Sequence, residues 1–171
     1  MANIQIENTP PTVIIFKVTL LDFKRKYWRR IAIRDNQTLH HLHKAIFLAF
    51  ERFDEHLYSF YFPSRGKAEF KVWQELMIEY THTSNYDSAM MDYSHPVVNT
   101  TKTKLSTLHL EPGDRYDYLF DFGDNWLHEV EVEQIDLPVT EKRYPHILEK
   151  EGYPSPPQYE YDERERDLGG R

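Results

Sequence analysis

The stretch Arg115 to Ile135, RYDYLFDFGDNWLHEVEVEQI, constrains the fold most, because two runs of strand-forming residues flank a Gly-Asp-Asn turn. In the first run Tyr116, Tyr118, Phe120 and Phe122 share one face, while Asp117, Leu119 and Asp121 share the other. In the second, Trp126, His128, Val130 and Val132 alternate with Leu127, Glu129, Glu131 and Glu133. A two-residue Asp124-Asn125 loop would set Phe122 opposite Leu127 and Phe120 opposite Glu129, mixing rings with carboxylates. A three-residue Gly123-Asp124-Asn125 loop instead pairs Phe122 with Trp126, Phe120 with His128, Tyr118 with Val130 and Tyr116 with Val132. One face is then aromatic and aliphatic and the other acidic. This register places His128 on the buried face and Asp121 on the opposite one.

Upstream, Val13 to Asp22 and Tyr27 to Arg34 read as an antiparallel strand pair, with Ile31 and Ile33 inward and Arg30 and Arg34 outward. Thr38 is the best N-cap for a helix from Leu39 to about Phe53, whose stripe is Leu39, Leu42, Ile46, Ala49, Phe50 and Phe53. His43 falls within the stripe, whereas His40 and His41 fall outside it and should face water. An amphipathic helix of this kind covers one face of a sheet. His56 to Phe62 reads as a third strand with His56, Tyr58, Phe60 and Phe62 on one face, and Arg65-Gly66 suggests a turn into a fourth near Ala68 to Trp73. Residues 74 to 104 read as an irregular excursion with a short strand at Met77 to Tyr80, and Leu105 to Leu110 as a helical turn. From Pro138 onward, five prolines, three glycines and dense mixed charge make regular structure scarce.

The fold class expected is therefore α+β: a mostly antiparallel β-sheet covered on one face by one main α-helix, with the hairpin and an irregular tail toward the C-terminus. Residues 1–136 form a single domain in this reading, and 137–171 an extension packed along it. The chain of 171 residues is long enough to bury a core, and its net charge of -7 argues against nucleic-acid affinity over the whole surface. Cysteine is absent, which excludes disulfides, zinc ribbons and thiol catalysis, and fits an intracellular location. The N-terminus lacks the pattern of a signal peptide, and no run approaches the roughly 18 apolar residues of a membrane helix. A soluble, cytoplasmic protein with no membrane association is the expectation.

Several of these segments together resemble one family. Trp28-Arg29-Arg30-Ile31, Thr38-Leu39 with Leu42-His43 and Ile46, His56-Leu57-Tyr58 with Phe60, Tyr116 through Trp126 with His128, and Gly152 with Pro156-Pro157 and Tyr159 are similar to the plasmid pRiA4b ORF-three-like family over about residues 13 to 160. The most specific part is Tyr118-x-Phe120-Asp121-Phe122-Gly123-Asp124-x-Trp126-x-His128. The resemblance implies an α+β domain without an established activity, and some members are labelled passengers of insertion elements. Many members carry a cysteine or two and a Gly-Gly pair near the final Pro-Pro segment. Here Tyr153-Pro154-Ser155 stands in that region, so no role for those cysteines carries over.

Three constellations bear on chemistry. His43, His56 and His128 fall on core-facing positions, and Asp124 alone among the hairpin carboxylates can reach around to them, so His56, Asp124 and His128 are the candidate ligands for a divalent metal. The plainer reading is of half-buried histidines satisfied by tyrosine hydroxyls or carbonyls, with Asp121 and Asp124 fixing the turn. Lys24, Arg25, Lys26, Arg29 and Arg30, interrupted by Tyr27 and Trp28, form a basic cluster that suits phosphates and stacked bases. The plainer reading pairs Arg29 or Arg30 with Glu129, Glu131 or Glu133 across the sheet. The tail either docks a partner or covers a sheet edge, and edge cover is favoured. With no phosphate loop, nucleophile elbow or His-Glu-x-x-His motif, the leading expectation is a non-catalytic binding or interaction module. It needs no cofactor, and its partner is an unidentified protein or nucleic acid. The alternatives are a metal-dependent enzyme using His56, His128 and Asp124, and a nucleic-acid-associated protein binding through Lys24 to Arg30.

Overall fold

The computed structural model describes residues 9–63, 76–82 and 95–159. Eight strands in one open sheet, β1 (Val13–Leu20), β2 (Trp28–Arg34), β3 (Tyr58–Phe62), β4 (Ile78–Thr81), β5 (Val97–Asn99), β6 (Arg115–Phe120), β7 (Trp126–Leu137) and β8 (His146–Glu151), run in the order β5-β4-β3-β6-β7-β1-β2-β8. All neighbours are antiparallel except β4 and β5. One helix, α1 (Leu39–Ala49), covers one face, so the architecture is α+β as expected.

The period-2 pattern decides which face is covered. Ile14, Phe16, Val18 and Leu20 of β1, Ile31 and Ile33 of β2, Phe60 of β3, Tyr118 and Phe120 of β6 and Val130 and Val132 of β7 are buried together against Leu39, Leu42, Ile46 and Phe50. The opposite face is charged. Across it Arg25 pairs with Glu129, Arg30 with Glu133 and Glu149, and Arg115 with Glu131.

Thr38 caps α1 as expected. Its hydroxyl accepts from the His41 backbone N–H, and the His41 ring accepts from the Thr38 N–H. The helix stops earlier than its apolar stripe. Phe50 is the C-cap and Glu51 adopts φ 55°, which turns Phe53 out to 62% exposure.

The hairpin keeps the expected faces but slips by two residues. Phe120 opposes Trp126, Tyr118 opposes His128 and Tyr116 opposes Val130, so residues 121–125 form the connection. A two-residue slip costs nothing in side-chain parity, which is why parity does not detect it. Asp121 drives it: at φ 60° it leaves the strand, its carbonyl accepts from the Asn125 N–H at 2.7 Å, and its carboxylate accepts from the N–H groups of Gly123 and Asp124. Asp121 is thus buried on the site side of the hairpin, not on the acidic face where alternation puts it.

The tail holds more regular structure than expected, and it covers the free edge of β2 as the edge-cover reading has it. His146 to Glu151 forms the edge strand β8 on β2. Beyond it Gly152, at φ +69°, lies so close to the turn before β2 that an added Cβ would sit 2.6 Å from the Lys26 carbonyl. The expected fourth strand at Ala68 to Trp73 lies outside the described residues. A strand is present at Ile78–Thr81, close to the expected Met77 to Tyr80. No helix among the described residues is long and apolar enough to cross a membrane.

Candidate functional site

A cleft of about 570 Å³ opens where α1, the loop after it and the ends of β3 and β4 meet, and four histidines line it. His40 and His43 stand one helical turn apart on α1, their rings 5.7 Å apart. His82 follows β4, with its ring 5.3 Å from that of His40. His56 comes from the loop before β3, which begins at Tyr58 and not at His56 as the strand pattern suggests. Lys44 and Glu55 form an ion pair at the rim.

Tyrosine hydroxyls hold three of the four rings. His40 Nδ1 is 2.8 Å from Tyr58 Oη, which also bonds Thr100 Oγ1 at 2.7 Å. His43 Nδ1 is 2.8 Å from the fully buried Tyr118 Oη, and its ring stacks on Tyr58 at 3.5 Å. His56 Nε2 is 2.7 Å from Tyr159 Oη, whose own proton goes to Asp54 Oδ2 at 2.6 Å, so His56 is the donor in that pair. His56 Nε2 also lies 3.5 Å from Asp121 Oδ2. The Asp54 carboxylate in turn holds the Tyr159 hydroxyl up at about 12.

Burial keeps the inner imidazoles neutral. Desolvation, with the neighbouring His40, Lys44 and His82 adding to it, pushes His43 down to about 2, and His40 is lowered by the same kinds of cause. Desolvation, reinforced by Arg52, pushes His128 down to about 3.

The candidate metal ligands go to different places. His128 is buried at 1% exposure with Nδ1 donating to the Trp126 carbonyl at 3.0 Å. His56 sits in the outer loop, and Asp124 is exposed at the hairpin tip. Among the described residues no group of three His, Asp or Glu side chains is arranged to hold a metal ion. The basic cluster is dispersed as well. Arg25 and Arg30 are taken up by Glu129, Glu133 and Glu149, and Trp28 lies beneath Lys17 and Arg30. Arg29 is fully buried, because the alternation that turns Ile31 and Ile33 inward turns Arg29 inward too. Lys24 and Lys26 remain exposed. Sequence reasoning missed His40 and His82 as cleft residues. The one available signal was the His40/His43 spacing on a single helix, which did not reveal that β3 would bring Tyr58 over His40.

Among the described residues an eight-stranded, largely antiparallel sheet with one covering helix makes this an α+β protein. The chain belongs to the plasmid pRiA4b ORF-3-like protein family, whose model matches residues 12–159. It is similar to the crystal structure of a protein of unknown function, MM3350, from Methanosarcina mazei Go1. That likeness has a TM-score of 0.63 and 28% identity, over 83% of this chain and 71% of the other. No curated protein matches the chain.

Proposed function

We propose that the protein is a non-catalytic binding module whose ligand, a small polar molecule, occupies the histidine-lined cleft. The observation that carries this reading is the set of three tyrosine-anchored imidazoles in one open cleft of about 570 Å³. Fixed polar groups converging on a concavity are what small-ligand sites require. Catalysis is the weaker reading, because an acid or base works best with a pKa near the working pH, and His43 is held at about 2. The His40 and His43 imidazoles, whose pKa values burial lowers, offer a hydrogen bond and a ring face without a fixed charge, which suits polar uncharged ligands.

The test follows the nine histidine imidazole signals by NMR while small polar compounds are added. Compounds that bind are expected to shift the His40, His56 and His82 signals together and leave His109 and His146 unmoved, with His40→Ala removing the response. Binding that moves only other signals, or the absence of any binder at these three, would overturn the reading.

A further inference from the structure

The buried cation Arg52 points to a second site. It is 5% exposed, yet among the described residues no carboxylate bonds to it. Nη1 donates to the Pro156 carbonyl at 2.9 Å, while Nε and Nη2, the two atoms of the guanidinium's side edge, have no partner among the described residues. The guanidinium stacks on Trp126 at 4.0 Å from the ring centroid, and the buried Trp126 Nε1 also has no partner among the described residues. Folded proteins pair their buried charges and satisfy their buried donors, so three unmet donors around a cation that Glu51 offsets through space without a direct bond are anomalous.

We propose that this locus binds the carboxylate of a small ligand with an apolar or aromatic body, bidentate on Arg52 Nε and Nη2 and assisted by Trp126 Nε1. The side edge of a guanidinium presents two parallel N–H groups whose spacing matches the two oxygens of a carboxylate. Trp126 is also a wall of a cleft of about 490 Å³ shared with Phe23, Tyr159 and the Pro156-Pro157-Gln158 segment, which gives the ligand's body an aromatic place to lie. Asp124 stands on that cleft and disfavours a second negative group, so the ligand carries a single carboxylate. Pro156 and Gln158 cover the locus. Gln158 accepts from the N–H groups of Phe53 and Asp54 and donates to the Asp54 carbonyl, so entry requires this strap to lift.

The experiment titrates the full chain with benzoate and with benzamide at constant ionic strength, following tryptophan fluorescence and melting temperature. Benzoate is expected to give a saturable change and a higher Tm, and its neutral isostere benzamide none. Trp126→Phe keeps an aromatic ring under Arg52 but removes the N–H together with the second indole ring, and should weaken benzoate binding roughly tenfold, read by the Tm shift because the reporting indole is lost. Arg52→Lys keeps the charge without the fork and should lose more. Equal responses to benzoate and benzamide, no response to either, or unchanged affinity in Trp126→Phe would each overturn the proposal.

Discussion

Arg29 Nε donates to the Ala49 carbonyl at 2.7 Å, tying β2 to the last residue of α1 from a position with no solvent exposure. The same guanidinium donates to the carbonyls of Trp28, Glu151 and Gly152 and to Ser155 Oγ, and lies over the Phe50 ring. One side chain therefore joins the sheet, the helix end and the tail. Its one ionic neighbour among the described residues is Glu51 at 4.0 Å, so carbonyl dipoles supply most of its compensation there.

Arg29→Met keeps the aliphatic stem but strands several buried carbonyls. The expected loss is about 3 kcal/mol, the scale on which removing one member of a buried polar network acts. Urea unfolding monitored by circular dichroism checks it, and a loss below about 1 kcal/mol would show that water replaces the guanidinium.

Acid should destabilise the fold through His43 and His128. Both have folded pKa values below the ordinary 6.5, at about 2 and about 3. Unfolding therefore takes up protons as pH falls below 6.5. Their contribution is complete above pH 6.5 and is lost as pH falls toward those folded values. Each histidine costs about 1.4 kcal/mol per pH unit in that window. Unfolding midpoints measured between pH 7 and 5, ahead of most carboxylate titration, should fall steeply in the wild type. His43→Asn should show about half the slope.

The hairpin depends on Asp121 in a conformation that few residues accept. Asp121→Ala removes both turn bonds and the tolerance for φ 60°, with an expected cost of about 2 kcal/mol. Asp121→Asn retains an acceptor and the same backbone tolerance and should stay within about 0.5 kcal/mol of wild type. Thermal unfolding of the two variants side by side distinguishes this from a simple loss of charge.

Duplex DNA should not bind. Arg25, Arg29 and Arg30 are engaged within the protein, and the chain carries a net charge of -7. Fluorescence anisotropy at about 0.15 M salt is expected to show no saturation below roughly 100 µM, the weak end of non-specific DNA affinity. Tight binding that weakens in a Lys24→Gln/Lys26→Gln variant would restore the basic turn as an interface.

Local patterns in the chain settled much of the fold. The alternation in β1, β2, β6 and β7 determined which face is buried, the stripe from Leu39 to Phe53 determined where the helix lies although Phe53 itself falls outside it, and Thr38 determined where it starts. These features depend on side-chain periodicity and on capping within a few residues, so they can be read without knowing the fold. Arg29 shows where that logic was overridden: the alternation that buries Ile31 turns it inward too, but its charge had it counted with the surface cations.

Tertiary structure decided the rest. The two-residue slip of the hairpin leaves parity unchanged and is set by the left-handed Asp121, which alternation cannot see. β8 forms because β2 offers an unpaired edge, although its own sequence, HILEKE, alternates only weakly. The cleft exists because His40 and His43, His56 and His82 come from a helix, a loop and the end of β4 that the fold brings together, with Tyr58, Tyr118 and Tyr159 supplying hydroxyls to the first three. A sequence lists which side chains are present. Which of them share a cavity depends on how distant segments pack, and that packing also turned a candidate basic patch into a ladder of ion pairs and a buried clasp.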